Sequence, residues 1–406
     1  MRREACRSCN SNRLKPVLDL GSLPIANALL RSLDEAVSEL RYPLEVAFCE
    51  DCALVQILHD VPLFPEDYPY YSSYSDALLA HARAHAEGLT ERLHLGPDSF
   101  VVEIASNDGY LLRNFTERGI PALGIDPAPG PAAAATEIGV ETMCDFFGRA
   151  LAHKVRAERG PADVIIANNV MAHVPDLNDL AAGYAILLAD HGVLTVENPG
   201  VGALIEHGEF DTIYHEHVCY YSCSSMRGLM ERHGLSLFDV EEFPALHGGT
   251  LRWWIGRDRP PSERLLTRLG DEKRRGMTTF KYYAQFGRRV QATQDKLREL
   301  LTRLKGEGRS IAAYGAAAKG ATLLNSTGIG REVVDFVVDR NVHKQGKLMP
   351  GTHQPILGVE ALVERRPDYT LLLAWNFAAE ITAQQAHYRE LGGRFIVPVP
   401  EPAVLG

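Results

Sequence analysis

Residues 210–222, Phe-Asp-Thr-Ile-Tyr-His-Glu-His-Val-Cys-Tyr-Tyr-Ser, hold the densest set of proton-handling side chains in the sequence. His215, Glu216 and His217 are consecutive, with Tyr214 before them and Tyr220 and Tyr221 after. An imidazole can take a proton near neutral pH, and a carboxylate or phenol beside it can orient it. The run can therefore supply a general base with its partners. His215 and His217 project to one side of an extended chain and could bind a metal, but no third ligand stands close by. A different chemistry belongs to Cys6, Cys9, Cys49 and Cys52. Each Cys-x-x-Cys pair can hold an ion from a tight turn, and two pairs complete the tetrahedral sulfur shell that zinc prefers. Four sulfurs leave no open position, so a structural zinc is expected.

These groups need a scaffold, and the rest of the chain reads as alternating strands and helices. Val101, Val102 and Ile104 suit a buried strand, Asn107-Asp108-Gly109 is turn chemistry, and Leu111, Leu112 and Phe115 follow at helical spacing. Strand, glycine turn and helix start together let a ligand approach backbone amides. The second and third glycines of the dinucleotide fingerprint are missing. With Glu103 at the strand end, the stretch instead resembles the first motif of Rossmann-like S-adenosylmethionine (SAM) methyltransferases. That resemblance assigns Glu103, Ala105, Asn107 and Gly109 to the cofactor. It also places Asp126, the acid ending a strand over 122–126, on the ribose hydroxyls.

Further strands are expected over 140–144, 163–168 and 193–197, and closing strands over 235–242 and 250–255. Interleaved helices make this a doubly wound parallel sheet with its loops at the strand C-termini. Those loops put Asp145 and Phe146 against adenine, Asn168 on the cofactor, and His173 facing the transferred methyl group. A helix over 75–95 leads into the sheet, and 262–305 reads as a long linking helix or pair. From Ser310 a second α/β unit begins, where Gly315, a helix start and Lys319 make a diphosphate seat. Its later strands lie over 333–339 and 369–374, the latter followed by Trp375. Residues 62–74 are too rich in proline for a helix, and their tyrosines, Tyr70 and Tyr71 among them, suit the wall of a polar pocket. Residues 18–44, between the cysteine pairs, form a loop or small hairpin.

The fold class is therefore α/β: a small N-terminal zinc-binding domain (1–74), a central Rossmann-like SAM methyltransferase domain (75–260), and a helical linker with a second Rossmann-like C-terminal domain (261–406). A length of 406 residues exceeds what one core holds, and 46% hydrophobic with 23% charged residues is ordinary globular composition. A formal charge of −10 argues against nucleic acid as a partner. A polar N-terminus and the lack of a long apolar run point away from the membrane, to a cytoplasmic protein, expected to be a monomer.

The cysteine pairs, Glu-Ile-Ala-Ser-Asn-Asp-Gly, the Glu-Asn-Pro-Gly…Tyr-His-Glu-His…Tyr-Tyr-Ser run and Tyr-Gly-Ala-Ala-Ala-Lys-Gly…Leu-Leu-Asn together are similar to the sugar C-methyltransferases of deoxysugar biosynthesis. Those enzymes methylate C3 of a nucleotide-linked 4-keto-6-deoxyhexose. The resemblance implies zinc on the four cysteines, SAM in the central domain, and a nucleotide sugar, dTDP-linked, shared with the C-terminal domain. Tyr214, Glu216 and His217 would surround the reacting carbon, with Tyr68 and His173 near. Tyr70, Tyr71, Asn198 and His215 would touch substrate, as would Tyr221, Gly315, Lys319 and Trp375. In this reading His217 takes the C3 proton, Glu216 holds its tautomer, and Tyr214 or a neighbouring tyrosine or histidine donates to the enolate oxygen. The competing expectation is methylation of a sugar oxygen or nitrogen.

Overall fold

Three sheets organise the chain in a computed structural model that describes residues 2–61, 71–244, 246 and 248–405. The first begins with β1 (Leu14–Pro24) and β2 (Arg41–Cys49), an antiparallel pair, and β3 (Val55–Ile57) adds to β2. The expected loop or small hairpin is thus a hairpin with arms of 11 and 9 residues. Leu44, Val46 and Phe48 on β2 recur at the strand period and are buried, which fixes its register.

The central sheet contains β4 (Val101–Ile104), β5 (Ala122–Ile125), β6 (Thr142–Met143), β7 (Ala162–Asn168) and β8 (Leu188–Pro199). These five run parallel to one another. β9 (Cys219–Tyr220) leaves this sheet and pairs with β3 instead. β10 (Ser236–Phe243) and β11 (Thr250–Gly256) return as an antiparallel pair on β8. The order is β10-β11-β8-β7-β4-β5-β6. β4 and β7 carry few polar side chains because both faces of a parallel sheet are covered. Strand order reverses beside β4, so the crevice lies past its C-terminal end. β6 is two residues long, shorter than expected, while β8 is longer at both ends than 193–197.

Helix Asp76–Leu93 precedes the central sheet, its N-terminus capped by Ser75, and buries Leu78, Ala82, His85, Ala86 and Leu89 along one face. The linking segment is three helices, Glu263–Arg274, Phe280–Tyr283 and Phe286–Gly306, rather than one or two. Gly276, at φ +76°, breaks the first from the rest.

The C-terminal sheet holds β12 (Ile311–Tyr314), β13 (Val337–Val338), β14 (Ile356–Leu357), β15 (Tyr369–Leu372), β16 (Arg394–Val397) and β17 (Ala403–Leu405). Its order is β14-β13-β12-β15-β16-β17, parallel except for the last strand. Apolar side chains of the β1–β2 hairpin share one core with residues 201–220, helix Phe286–Gly306 and β12 and β15. Cys6, Cys49 and Leu54 belong instead to a core with β4, β7 and β8. The N-terminal unit is therefore a wedge between the other two. Among the described residues, no helix is long and apolar enough to cross a membrane.

Candidate active site

His217 sits on the loop between β8 and β9, just after the short turn Phe210–Thr212. Its Nδ1 lies 3.0 Å from the Thr212 carbonyl oxygen. A carbonyl only accepts, so Nδ1 carries the hydrogen and Nε2 of the neutral ring presents a lone pair. The Tyr214 hydroxyl donates to that Nε2 at 2.7 Å. The His173 ring stands 4.8 Å away, centre to centre. His173 Nδ1 donates to the Glu216 carbonyl oxygen at 2.7 Å, which leaves its Nε2 as an acceptor. Burial pulls His173 down to about 4, against the opposing pull of that bond, so the ring is neutral at pH 7.

Glu216 does not hold the His217 tautomer; the Thr212 carbonyl already occupies Nδ1. Its carboxyl turns toward the N-terminal unit, where Asn27 Nδ2 donates to Oε1 at 2.7 Å. Burial lifts it to about 7, with the Asn27 bond opposing, so acid and ionised forms coexist near neutrality. Two further expectations change. His215 is buried and donates from Nε2 to the Tyr42 carbonyl at 3.1 Å, tying the loop to β2 rather than to a substrate. Tyr221 is fully buried, and its hydroxyl donates to the Met171 carbonyl at 3.0 Å. It supports the turn Met171–His173 instead of lining a pocket. Tyr68 and Tyr70 lie outside the described residues.

At the end of β4, Ala105 (φ +56°), Asn107 (φ +50°) and Gly109 (φ +74°) all take left-handed backbone. Such a run of unfavourable conformations marks a functional turn. Asp126, after β5, accepts from Asn107 N–H and Ala128 N–H, each at 2.8 Å. Ser72 N–H bonds Asn107 Oδ1 at 2.8 Å, and Ser73 bonds Asp108, so the short turn Ser72–Tyr74 crosses over it. Tyr71, just before that turn, brings its hydroxyl against Gly130, beyond Asp126. Burial and the nearby Asp126 and Asp108 push Glu103 well up, and burial raises Asp126. Acids crowded in this way fit a cationic ligand, and SAM carries a sulfonium and an ammonium group. Among the described residues, Glu103 Oε2, Asp108 Oδ1, Asn168 Oδ1 and both polar atoms of the Asn198 amide are buried without a partner. All belong to the C-terminal ends of β4, β7 and β8 or the turn beyond. Buried polar atoms of this kind call for a polar ligand. Asp145 and Phe146 are exposed past β6, at the outer end of the same edge.

The C-terminal unit reaches the same loop. Trp375 Nε1 donates to Asp211 Oδ2 at 2.6 Å, and Lys319 Nζ lies 4.4 Å over the Trp375 ring and bonds Asn376. Gly315 takes φ +99°, where a Cβ would come within 2.9 Å of the Ala374 Cβ, so helix Ala318–Thr327 starts hard against the end of β15.

The four cysteine sulfurs lie within 4.8 Å of one another, with Cys6–Cys52 and Cys9–Cys49 at 3.5 Å. A tetrahedral zinc–thiolate shell requires about 3.8 Å between sulfurs, so the cluster fits zinc. Both knuckles close alike: Asn10 N–H bonds Cys6 O, Ala53 N–H bonds Cys49 O, and both residues are left-handed. The thiols of Cys6 and Cys52 hold Cys49 down, whereas Cys49 and Cys6 hold Cys52 up. A divalent cation removes that conflict by ionising all four.

Several participants had no sequence signal. Thr212 acts through its backbone, and Asn27 is 189 residues from Glu216. Glu197 did have one, as an acid inside the apolar strand β8.

Comparison with known proteins places the chain among the methyltransferases. Residues 6–63 match a family described as a "putative zinc binding domain", 78–240 a methyltransferase domain, and 245–400 a C-methyltransferase C-terminal domain. The C-methyltransferase NovU of Streptomyces niveus is 35% identical over 408 residues, covering 99% of this chain and 97% of that protein. Among solved structures, a SAM-dependent methyltransferase from Anabaena variabilis overlaps 49% of this chain and 97% of its own, at 14% identity and TM-score 0.37. Magnesium protoporphyrin IX methyltransferase from Synechocystis with bound SAM overlaps 44% of this chain and 79% of its own, at 14% identity and TM-score 0.35. Those two overlaps are too loose to add to the topology above.

Proposed function

This chain belongs to the SAM-dependent C-methyltransferase family, and on that footing we propose that it methylates C3 of a nucleotide-linked 4-keto-6-deoxy sugar, with dTDP as the carrier. Family membership selects carbon over oxygen or nitrogen as the acceptor atom. Bound SAM supplies a methyl group on positively charged sulfur, held along the turn of Ala105, Asn107 and Gly109 with Asp126 beside it.

A hydrogen on carbon is acidic only beside a carbonyl that can become an enolate, so the protein must take a proton at C3 and stabilise charge at O4. The observation that supports this most is the ordered relay Tyr214 OH to His217 Nε2, with His217 Nδ1–H fixed on Thr212 O. The Tyr214 oxygen receives the C3 proton as its own proton passes to His217 Nε2, leaving an imidazolium and an enolate. Glu216 in its acid form donates to O4. His173, neutral with Nε2 as acceptor, stands beside the relay and orients the sugar. Lys319, Trp375 and the turn at Gly315 seat the diphosphate and nucleotide.

The test is deuterium wash-in at C3 without SAM, on a panel of nucleotide-linked 4-keto-6-deoxy sugars. The parental protein exchanges C3. His217→Asn loses at least about 100-fold in exchange, with SAM affinity by calorimetry unchanged. Exchange at the parental rate in that variant sinks the assignment.

A further inference from the structure

The N-terminal unit holds the zinc cysteines, yet it also reaches the reacting loop at two places. Tyr42 O accepts from His215, and Asn27 Nδ2 donates to Glu216 Oε1 at 2.7 Å. The second contact joins residues 189 apart and touches the one carboxyl in the Tyr-His-Glu-His run. We propose that Asn27 is a positioning residue, which makes Glu216 Oε1 the accepting oxygen and so places the acid proton on Oε2, the oxygen that serves the substrate.

The chemistry follows from one bond. An oxygen that accepts from an amide N–H at 2.7 Å is the carbonyl-like oxygen of a carboxylic acid, so the hydroxyl is the other one. Oε2 is buried and has no partner among the described residues, as expected of an atom waiting for a ligand acceptor. Glu216 as a whole is 6% exposed, so water does not provide that partner freely. The titratable groups nearest in the chain are Tyr214, His215 and His217 of its own loop, and His173, from the turn after β7, bonds its backbone carbonyl. Among the described residues no ion pair reaches its carboxyl. Its protonation is then governed by burial, which favours the acid, and by the Asn27 N–H, which favours the anion. Removing the donor raises the midpoint and frees the carboxyl to rotate. This role rests on the reading of Glu216 as donor to O4, although the bond itself does not.

The experiment is an infrared titration of the protonated carboxyl band in the intact protein with zinc and SAM, identified as the band lost in Glu216→Gln. It needs no sugar. Wild-type Glu216 titrates near 7; Asn27→Ala moves the midpoint up by about one pH unit, a tenfold change in the protonation ratio. Asn27→Asp, which keeps the shape and adds a competing carboxyl, moves it further. The basic limb of C3 exchange follows in the same order, and exchange below that limb falls by roughly tenfold as the carboxyl loses its orientation. Unchanged midpoints in both variants, with parental SAM affinity and melting temperature, overturn the role. Parental exchange in Glu216→Gln sinks instead the assignment of Glu216 to O4, while the infrared result still decides what Asn27 does.

Discussion

Glu197 is an acid near the end of a buried strand, and its neighbours explain how it stays charged. Arg252 Nε donates to it at 2.5 Å, His81 Nε2 lies at 2.9 Å, and His85 Nδ1 at 3.5 Å. Burial works against the anion, but His81, His85 and Arg252 outweigh it and hold Glu197 down to about 2. The next link is His85 to Asn168 at 3.4 Å, so the network ends on the last residue of β7. Because the folded value lies below the usual 4.3 of an unfolded glutamate, the stabilisation is fully present above about pH 4.3. It is lost as pH falls toward 2, and amounts to about 3 kcal/mol. Glu197→Gln should cost a similar amount at pH 7, since buried Arg252 keeps Glu241 at 3.0 Å but loses its fully buried carboxylate partner. Urea unfolding checks both statements; a variant as stable as the parent at pH 7 would show the pair to be neutral.

At the scale of elements, the glycine turn after β4 was legible because turn chemistry is local, but the reason for Gly109 was not. The sequence suggests close approach of a ligand. In the structure, a Cβ at Gly109 would stand 3.1 Å from Val140 Cγ2 and 3.2 Å from the Ala135 Cβ, at φ +74°. The glycine thus also lets helix Pro129–Glu137 pack on the turn. Gly109→Ala should lower stability by about 2 kcal/mol and weaken SAM binding together, read by thermal melting and calorimetry. Weaker binding with unchanged stability would assign the glycine to the ligand alone. The two cysteine knuckles were legible for the same local reason. The Thr212 carbonyl that fixes His217 was invisible, because every residue has a carbonyl and only the fold selects one. Asn27 was invisible because nothing in a polar loop residue announces a partner 189 positions away. β9 carries no strand signal in the sequence, because two residues give no period, and its pairing with β3 is set by tertiary contact.

For the molecule as a whole, that short pairing decides what zinc does. The Tyr-His-Glu-His loop runs directly into β9, the fourth strand of the sheet that carries Cys49 at the end of β2. Cys6 and Cys49 pack with β4, β7 and β8, and the hairpin of the same unit packs with β12, β15 and helix Phe286–Gly306. A structural zinc site in isolation contributes on the order of 10 kcal/mol to the folding of its own knuckles. Here the unit that holds the zinc shares buried surface with both α/β units, through its knuckles and its hairpin, so that free energy is coupled to the whole chain rather than confined to a terminal bead. Chelation should therefore lower the melting temperature of the entire protein in one transition and abolish C3 exchange. Re-addition of zinc should restore both. If the N-terminal unit were only an appendage, chelation would split the melt in two. The upper transition would stay at its original temperature, with exchange intact. Calorimetric scans with and without chelator, alongside the exchange assay, separate the two, and an unmoved upper transition would show that the zinc unit supports only itself.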